Sequence, residues 1–134
     1  MVRLLGAAGV VVRFDPSLPE VGPFPADILT VADAGQLTGV RVSLPLRDPE
    51  TSLLNQLDGF NVQPRLRVRF SGAVNPETVR AGVYLVRLTG QVGEQTRINQ
   101  VVWDPGTNTA YGEADRVLAA GTRYGLVVTS AVRD

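Results

Sequence analysis

Proline and glycine interrupt this chain so often that no long amphipathic helix fits between them. The 134 residues include nine Pro and fourteen Gly, and both residue types break regular helices. Hydrophobic residues make up 44% of the chain and charged residues 19%, which is typical of a folded protein with its own core rather than a disordered one. The length is that of one domain. We therefore expect a single domain over residues 1–134, built mainly of short β-strands.

The clearest strand signal lies at residues 65–70, where apolar side chains alternate with arginines. Because side chains on a strand point to alternate faces, Leu66, Val68 and Phe70 should face a core and the three arginines should face away from it. Further strands are predicted at 9–14, 40–46, 83–88, 98–103, 109–113 and 122–129, with the loop 104–108 closing a hairpin. Such a series of turn-bounded strands is typical of an antiparallel β-sandwich.

Three other segments have local signals. The Pro-rich stretch 15–27 predicts an extended strap across the surface, anchored by Phe24 and residues 28–29. Residues 50–57 predict a short helix that Thr51 or Ser52 would cap and that residues 58–59 would close. Asn75 and Pro76 suit the N-cap and first turn of another short helix.

The composition excludes several kinds of chemistry. There is no Cys, no His and no Lys among the 134 residues, so Ser-His-Asp and Cys-His catalysis, Schiff-base lysines and nearly all zinc sites are excluded. Thirteen basic residues, all Arg, balance thirteen acids, and such a net charge of zero is not that of a non-specific nucleic-acid binder. No apolar run reaches the roughly 18 residues of a membrane span. Residues 1–12 resemble a short signal-peptide core, but the β-branched Val10, Val11 and Val12 favour a strand.

The remaining polar candidates have simpler interpretations than a catalytic or ligand site. They are Arg65, Arg67 and Arg69, the loop 104–108, Asp58 with Asn61, and the acids Glu113 and Asp115. The arginines could bind phosphate or an acidic glycan, but without an aromatic residue on their face a solvated surface is the expectation. The loop falls short of a calcium site, and the two acids, which glycoside hydrolysis would need as a pair across a cleft, are expected to be ordinary surface acids. Ser71 and Ser130 have no base to activate them. We predict no enzyme, no cofactor and no metal.

A run of residues in the second half resembles a known family. It comprises residues 70–79, from Phe70 through Asn75 and Pro76, the Leu118-x-x-Gly121-Thr122-x-Tyr124 motif, residues 125–128, and 132–134. From residue 66 on, these resemble the bacterial Ig-like domain of S-layer proteins. The resemblance implies an Ig-like or fibronectin III-like sandwich, with 65–134 as its core and 1–64 as an N-terminal strand, strap and first strands. It also implies that the Tyr124 hydroxyl bonds to backbone upstream, with Leu118 buried beneath it.

A weaker resemblance covers residues 13–16, 23–27 and 57–60. They are similar to the leader of Ig-like modules that precede lipase- or esterase-like domains in secreted bacterial proteins. This implies a non-catalytic accessory module of a longer secreted or cell-envelope protein, with a neighbouring domain as its partner. The alternative is a carbohydrate- or surface-adhesion module, which needs an exposed aromatic patch. The residues to inspect for it are Trp103, Tyr84 and Tyr111, and Trp103 is as readily a core residue.

The resemblance also leads to an expectation about the sheet edges. Members of the family continue past the position of Asp134 with one more strand, and an edge without that strand would be open to pairing between molecules. We therefore expect residues 9–14 to pair next to the C-terminal strand at 122–130 and so to close the sheet internally.

Overall fold

Two β-layers with apolar side chains between them form the body of the chain. The structure is a computed structural model, and it describes residues 3–4, 10–15, 17–18, 21–45 and 48–134. The strands are β1 (Arg3–Leu4), β2 (Thr30–Ala32), β3 (Val40–Val42), β4 (Arg65–Arg69), β5 (Val83–Arg87), β6 (Gln95–Asp104), β7 (Thr109–Ala114) and β8 (Tyr124–Val128). The helices are α1 (Pro49–Leu54) and α2 (Pro76–Gly82), with a short 3-10 helix at Asp27–Leu29. The all-β sandwich of antiparallel strands predicted from the sequence is confirmed.

One long strand belongs to both layers. The strand order is β1-β8-β5-β6-β7-β4, and β6 pairs through its first residues with β5 and through its later ones with β7. A bulge between Asn99 and Val102 lies at the changeover, and Gln100 takes a positive φ of 50° there. Because the bulge adds a residue to the strand, the inward positions shift from Ile98 to Val101. The chain thus turns from one layer into the other without a loop.

The core lies between the two layers and is built largely of β-branched residues. Leu66, Val68 and Phe70 are 6%, 4% and 4% exposed, which confirms the face predicted from their alternation. Across from them lie Val83 and Leu85 on the other layer. A void of about 10 Å³ remains among these side chains, which is scarcely room for one water molecule. The described side chains that line this void are therefore closely packed.

The N-terminal segment closes one edge of the sheet, but not the predicted edge. Val12 pairs antiparallel with Phe70, the Arg13 N–H donates to the Arg69 carbonyl at 2.7 Å, and Ser71 donates in the same way to Val11 at 2.8 Å. Residues 10–14 thus extend the layer beyond β4, and the prediction that 9–14 lie beside the C-terminal strand is wrong for the described residues; Gly9 lies outside them. It is β1 that pairs with β8, in parallel. A β-branched strand suits either edge equally, so its sequence does not determine the partner.

Farther along, the strap returns to the same edge. Phe24 exchanges two backbone hydrogen bonds with Arg67, of 3.0 and 2.9 Å, and its ring meets Phe60 edge-on with centroids 5.4 Å apart. Of the predicted anchors, Phe24 and Leu29 are in place, Leu29 being 5% exposed, whereas Ile28 is 42% exposed. Pro16 and Pro19 of the predicted stretch lie outside the described residues. Residues on both sides of a looped segment therefore cover the free edge of β4.

Residues 27–45 and 48–59 lie beside the sandwich, and we name them the hairpin unit. The hairpin of β2 and β3 is joined to the segment after α1 by a bond from Val42 N to Leu57 O of 3.0 Å. The predicted strand 40–46 is shorter than expected and ends at Val42. The predicted helix is also shorter, and its cap is Asp48 rather than Thr51 or Ser52. The Thr51 hydroxyl donates to Asp48 and is the largest cause of that carboxyl's lowered pKa.

The C-terminal residues are fastened to α2. The Asn75 side chain caps this helix by accepting from Glu77 N at 3.1 Å, as its sequence position predicted, and Asn75 N donates to Arg133 O at 2.7 Å. Gly82 carries no side chain where the chain end crosses it. A Cβ atom there would lie 2.6 Å from Val132 N, closer than real contacts allow. The sequence analysis did not single out Gly82, because only a segment remote in the chain makes a glycine necessary there.

Candidate functional site

The outer face of the β4–β7 layer carries the largest group of arginines brought together in the described part of the chain. Arg65, Arg67 and Arg69 alternate with the core residues of β4 and are exposed or half-buried. Arg13 joins them, since it lies directly opposite Arg69 on the N-terminal segment. Alternation predicted that the three arginines of β4 share one face. Arg13 could not be predicted to join them, because the strap and the hairpin unit lie between it and β4 in the sequence. We name Arg13, Arg65, Arg67 and Arg69 the arginine face.

Aromatic rings are interleaved with the arginine face, contrary to the sequence-based expectation. The Arg65 guanidinium carbon lies 5.8 Å from the ring centroid of Tyr111, and that of Arg67 lies 5.6 Å from Phe24. Arg67 also donates to the carbonyl of Gly22 at 3.2 Å. These contacts hold Arg65 against a ring and Arg67 against a ring and the backbone. The expectation of a face without aromatic residues was wrong because strand pairing brings Phe24 and Tyr111 to β4. The sequence of residues 65–70 alone does not predict that pairing.

The acidic candidates are engaged in structural contacts. Glu113 forms a 3.5 Å ion pair with Arg65, and Asp115, at the end of β7, is exposed. Asp104 accepts from Gly106 N and the Thr107 hydroxyl and so shapes the hairpin turn. No group of three or more acids positioned to hold a metal occurs among the described residues. The two acids weighed for hydrolysis thus face neither each other across a cleft nor a pocket.

Asp58 has a different structural role from the cation site weighed for it. Its carboxylate accepts from the backbone N–H groups of Leu37 and Thr38, at 3.0 and 3.1 Å, and from the Thr38 hydroxyl. The hydroxyl bond is the largest cause of the lowered pKa of Asp58. Asn61, its supposed co-ligand, accepts instead from Gln63 N. Asp58 thereby ties the tip of the β2–β3 hairpin to the segment after α1.

The three aromatic residues weighed for sugar binding do not share a surface. Trp103 packs against the core, with its ring centroid 6.2 Å from that of Phe70. Tyr84 lies between the buried Val83 and Leu85 and therefore points away from the core on the β5 layer. Tyr111 points away from it on the β7 layer. Of the serines, Ser71 accepts a hydrogen bond from Val11 N at 2.9 Å.

The hydroxyl of Tyr124 accepts a hydrogen bond from the backbone N–H of Ala119, at 2.9 Å. The bond runs upstream from the start of β8 across the turn that contains Gly121, whose φ is 60°. Leu118 lies half-buried against the core rather than fully buried beneath the ring. Residues 50–134 match the bacterial Ig-like domain family. The chain belongs to that family. No curated protein and no solved structure matches the chain.

Bacterial Ig-like domains are generally non-catalytic accessory or surface domains, and they are often extracellular. Within the described residues, no helix has the length and apolar character needed to cross a bilayer. The family match begins inside α1, so the β2–β3 hairpin and the strap precede the matched residues. The arginine face combines residues from both parts of the chain, since Arg13 precedes the matched residues and β4 lies within them.

The hairpin unit of this Ig-like protein exposes an unusual number of leucines. Leu37 at the hairpin tip is 101% exposed, Leu53 is 68%, Leu57 50% and Leu54 46%. The Asp58 contacts hold the tip beside the residues that follow α1, and a bond from the Gln36 side chain to Gln56 O adds to them. We name these four residues the leucine surface. Exposed apolar groups that form one patch are typical of interaction sites.

Proposed function

We propose that this Ig-like domain is a non-catalytic accessory module of a larger secreted or cell-envelope protein. Its role is to dock and stabilise a neighbouring domain of the same polypeptide. The observation that carries the proposal is the leucine surface. Four exposed leucines lower the solubility of an isolated domain. A docked neighbour would bury them, and each Å² of apolar surface buried would stabilise the complex by roughly 25 cal/mol.

The contacts around the leucine surface support docking rather than chance exposure. A hairpin tip with a fully exposed leucine is held in place by the Asp58 carboxylate through three hydrogen bonds. Such preorganisation lowers the entropy lost when a partner binds. The surface also lies outside the sandwich core, so the module presents it without loss of its own packing.

The nature of the neighbour is proposed from the leader segments alone. Residues 13–16, 23–27 and 57–60 are similar to those that precede lipase- or esterase-like domains, and a hydrolase is therefore the neighbour that we propose. The catalytic work would then belong to the partner domain.

Fractionation of the native host tests the proposal directly. Antibodies raised against this chain should detect a polypeptide well above its 14.3 kDa, in the medium or the envelope fraction. Cytosolic and envelope marker proteins serve as controls. A 14 kDa species confined to the cytosol would show that the proposed function is wrong.

Docking is tested in that longer polypeptide with the double variant Leu37→Ser/Leu53→Ser. We expect the melting temperature of the neighbouring domain to fall, because its apolar contact surface loses its cover. The matched control is Leu88→Ser, a leucine 42% exposed at the end of β5. Equal melting temperatures for the leucine-surface variant, the control and the parent would rule out docking through this surface.

A further inference from the structure

Two arginines lie side by side on the arginine face without an acid between them. The antiparallel bridge between Val12 and Phe70 places Arg13 opposite Arg69, and the Arg13 N–H donates to the Arg69 carbonyl. At such positions the Cα atoms are about 5.5 Å apart and the side chains project from the same face. Like charges directly opposite each other on neighbouring strands are destabilising. The chain therefore maintains a repulsive pair at this position, and an anion between the two guanidinium groups would relieve it.

No acid is ion-paired with Arg13 or Arg69 in the part of the chain that the structure describes, and Asp15, two residues after Arg13, accepts instead from Ser17. Neither Arg13 nor Arg69 takes part in the ion pairs found there, which join Arg41 to Asp33, Arg65 to Glu113, Arg116 to Glu94 and Arg123 to Asp27. In the same row of side chains come Thr109 and then Asp104. Asp104 is two strands away from Arg69, at about 10 Å by the spacing of strands, and its carboxylate is bound within its own turn.

The surroundings of the pair indicate the class of ligand. The next row of side chains on this face is Phe24, Arg67, Tyr111 and Val102, and Val102 is 52% exposed. An apolar and aromatic strip beside cationic groups matches a sugar ring that has a C–H face and an acidic edge. The face is a flat strand surface, whereas small molecules bind in concave pockets. An extended polymer can lie along it and bring successive acidic groups to the arginines.

We propose that Arg13 and Arg69 form the anion-binding centre of a site for carboxylate-bearing polysaccharide on the outer face of the β4–β7 layer. The two guanidinium groups bind the carboxylates through charge-assisted hydrogen bonds. The strip of Tyr111 and Val102 contacts the sugar rings. The site is separate from the leucine surface, so the proposed function stands or falls independently of it.

The test is the binding of polygalacturonate to the full chain at low ionic strength, measured by calorimetry. The variant is Arg13→Gln/Arg69→Gln, and the matched control is Arg80→Gln/Arg97→Gln, which changes the net charge equally at exposed arginines of α2 and β6. Each lost charge-assisted bond should weaken binding about tenfold. We expect affinity to fall by at least that factor in the variant and to stay near the parent value in the control.

Further probes distinguish the ligand classes. Fully methyl-esterified polygalacturonate lacks the charge and should not bind; inorganic phosphate should compete only weakly. A thymidine oligonucleotide of equal charge should bind less tightly than polygalacturonate. Equal loss of binding in variant and control, or tighter binding of the oligonucleotide, would overturn the proposal.

Thermal melts show whether the two arginines act in binding or in the stability of the fold. Because the pair is repulsive, the variant should melt at the parent temperature or above it, and added polygalacturonate should raise the melting temperature of the parent and not of the variant. A variant that melts lower than the parent would assign the two arginines a structural role and would contradict the site.

Discussion

At the scale of single residues, several side chains of this domain act by satisfying the backbone of a distant turn. Tyr124 accepts from the amide of Ala119, Asp58 accepts from the hairpin tip, and Asn75 caps α2. Each of them fixes where a loop leaves a regular element. Backbone groups left without such partners in partly buried positions are costly, so these few polar residues determine the loop geometry of the fold.

Replacement of Tyr124 by Phe should lower the free energy of unfolding by about 1 kcal/mol, because the Ala119 N–H loses its acceptor while the ring remains. Denaturant melts measure the change. Tyr84→Phe is the matched control, since the Tyr84 hydroxyl makes no hydrogen bond among the described residues. Equal midpoints for Tyr124→Phe and the parent would show that the hydroxyl bond does not stabilise the fold.

Asp58 should make the stability depend on pH in a defined direction. Its pKa is lowered in the folded chain, chiefly by the Thr38 hydroxyl, so its contribution is present above the unfolded value of about 4. That contribution is lost as the pH falls through the lower, folded value. Urea midpoints of Asp58→Asn should be lower than those of the parent at neutral pH, and the difference should shrink in acid.

Asp115→Asn is the control for this series, because Asp115 is exposed and its carboxylate makes no hydrogen bond in the described residues. The control should follow the parent at every pH. A gap between Asp58→Asn and the parent that stays constant down to strongly acid pH would contradict the assignment.

The sequence revealed residues whose partners are near in the chain. Asn75 was recognisable because a cap acts on residues two or three positions ahead, whereas the Tyr124 bond was expected only from the family resemblance, through the motif that ends at Tyr124. Asp48 was missed because the neighbouring Thr51 and Ser52 carry equally good capping groups. Arg13 was missed because nothing local indicates that it lies beside Arg69, which strand pairing alone brings about.

At the scale of elements, the N-terminal segment and β4 depend on each other. Val12 is 4% exposed and belongs to the core, and residues 11–13 and 24 occupy the hydrogen-bonding edge that β4 would otherwise present. Alternation predicted β4 and the β-branched valines predicted the N-terminal strand, but neither signal could predict their pairing, since such a strand fits either edge of the sandwich.

Two truncations separate the edges. Deletion of residues 1–9 removes β1 from β8 but leaves the cover of β4, whereas deletion of residues 1–14 removes both and takes Val12 from the core. We expect the longer deletion to self-associate and to melt at a lower temperature than the shorter one, because an uncovered edge pairs with other chains. Light scattering and thermal melts measure this. Two truncations that behave alike would show that residues 10–14 are dispensable.

At the scale of the whole molecule, β6 makes the sandwich one folding unit. The same strand pairs with β5 and with β7, so neither layer can lose its pairing without disturbing the other. The sequence predicted the fold class correctly because short strands between frequent turns leave few alternatives. It could not predict this changeover, since the bulge at Asn99–Val102 requires only one extra residue.

Unfolding should therefore be a single transition. The fluorescence of Trp103, near the C-terminal end of β6, reports on core packing, and far-UV circular dichroism reports on the strands. The urea midpoints measured by the two probes should coincide. The dichroism spectrum should also show less than about a quarter helix, since the helices have only six and seven residues. Separate midpoints for the two probes would show that the layers unfold independently.

The pairing of the N-terminal segment with β4 has a consequence for the time course of folding. Val11 and Ser71 are 60 residues apart, so their contact requires a large loop to close, whereas the β6–β7 hairpin needs only a short turn. Until that closure, β4 is the unprotected border of a growing sheet. During that time its arginines should protect the strand from aggregation, because charged side chains on an edge strand discourage pairing with another molecule. The residues that line a binding face in the finished domain would thus also keep newly made chains apart.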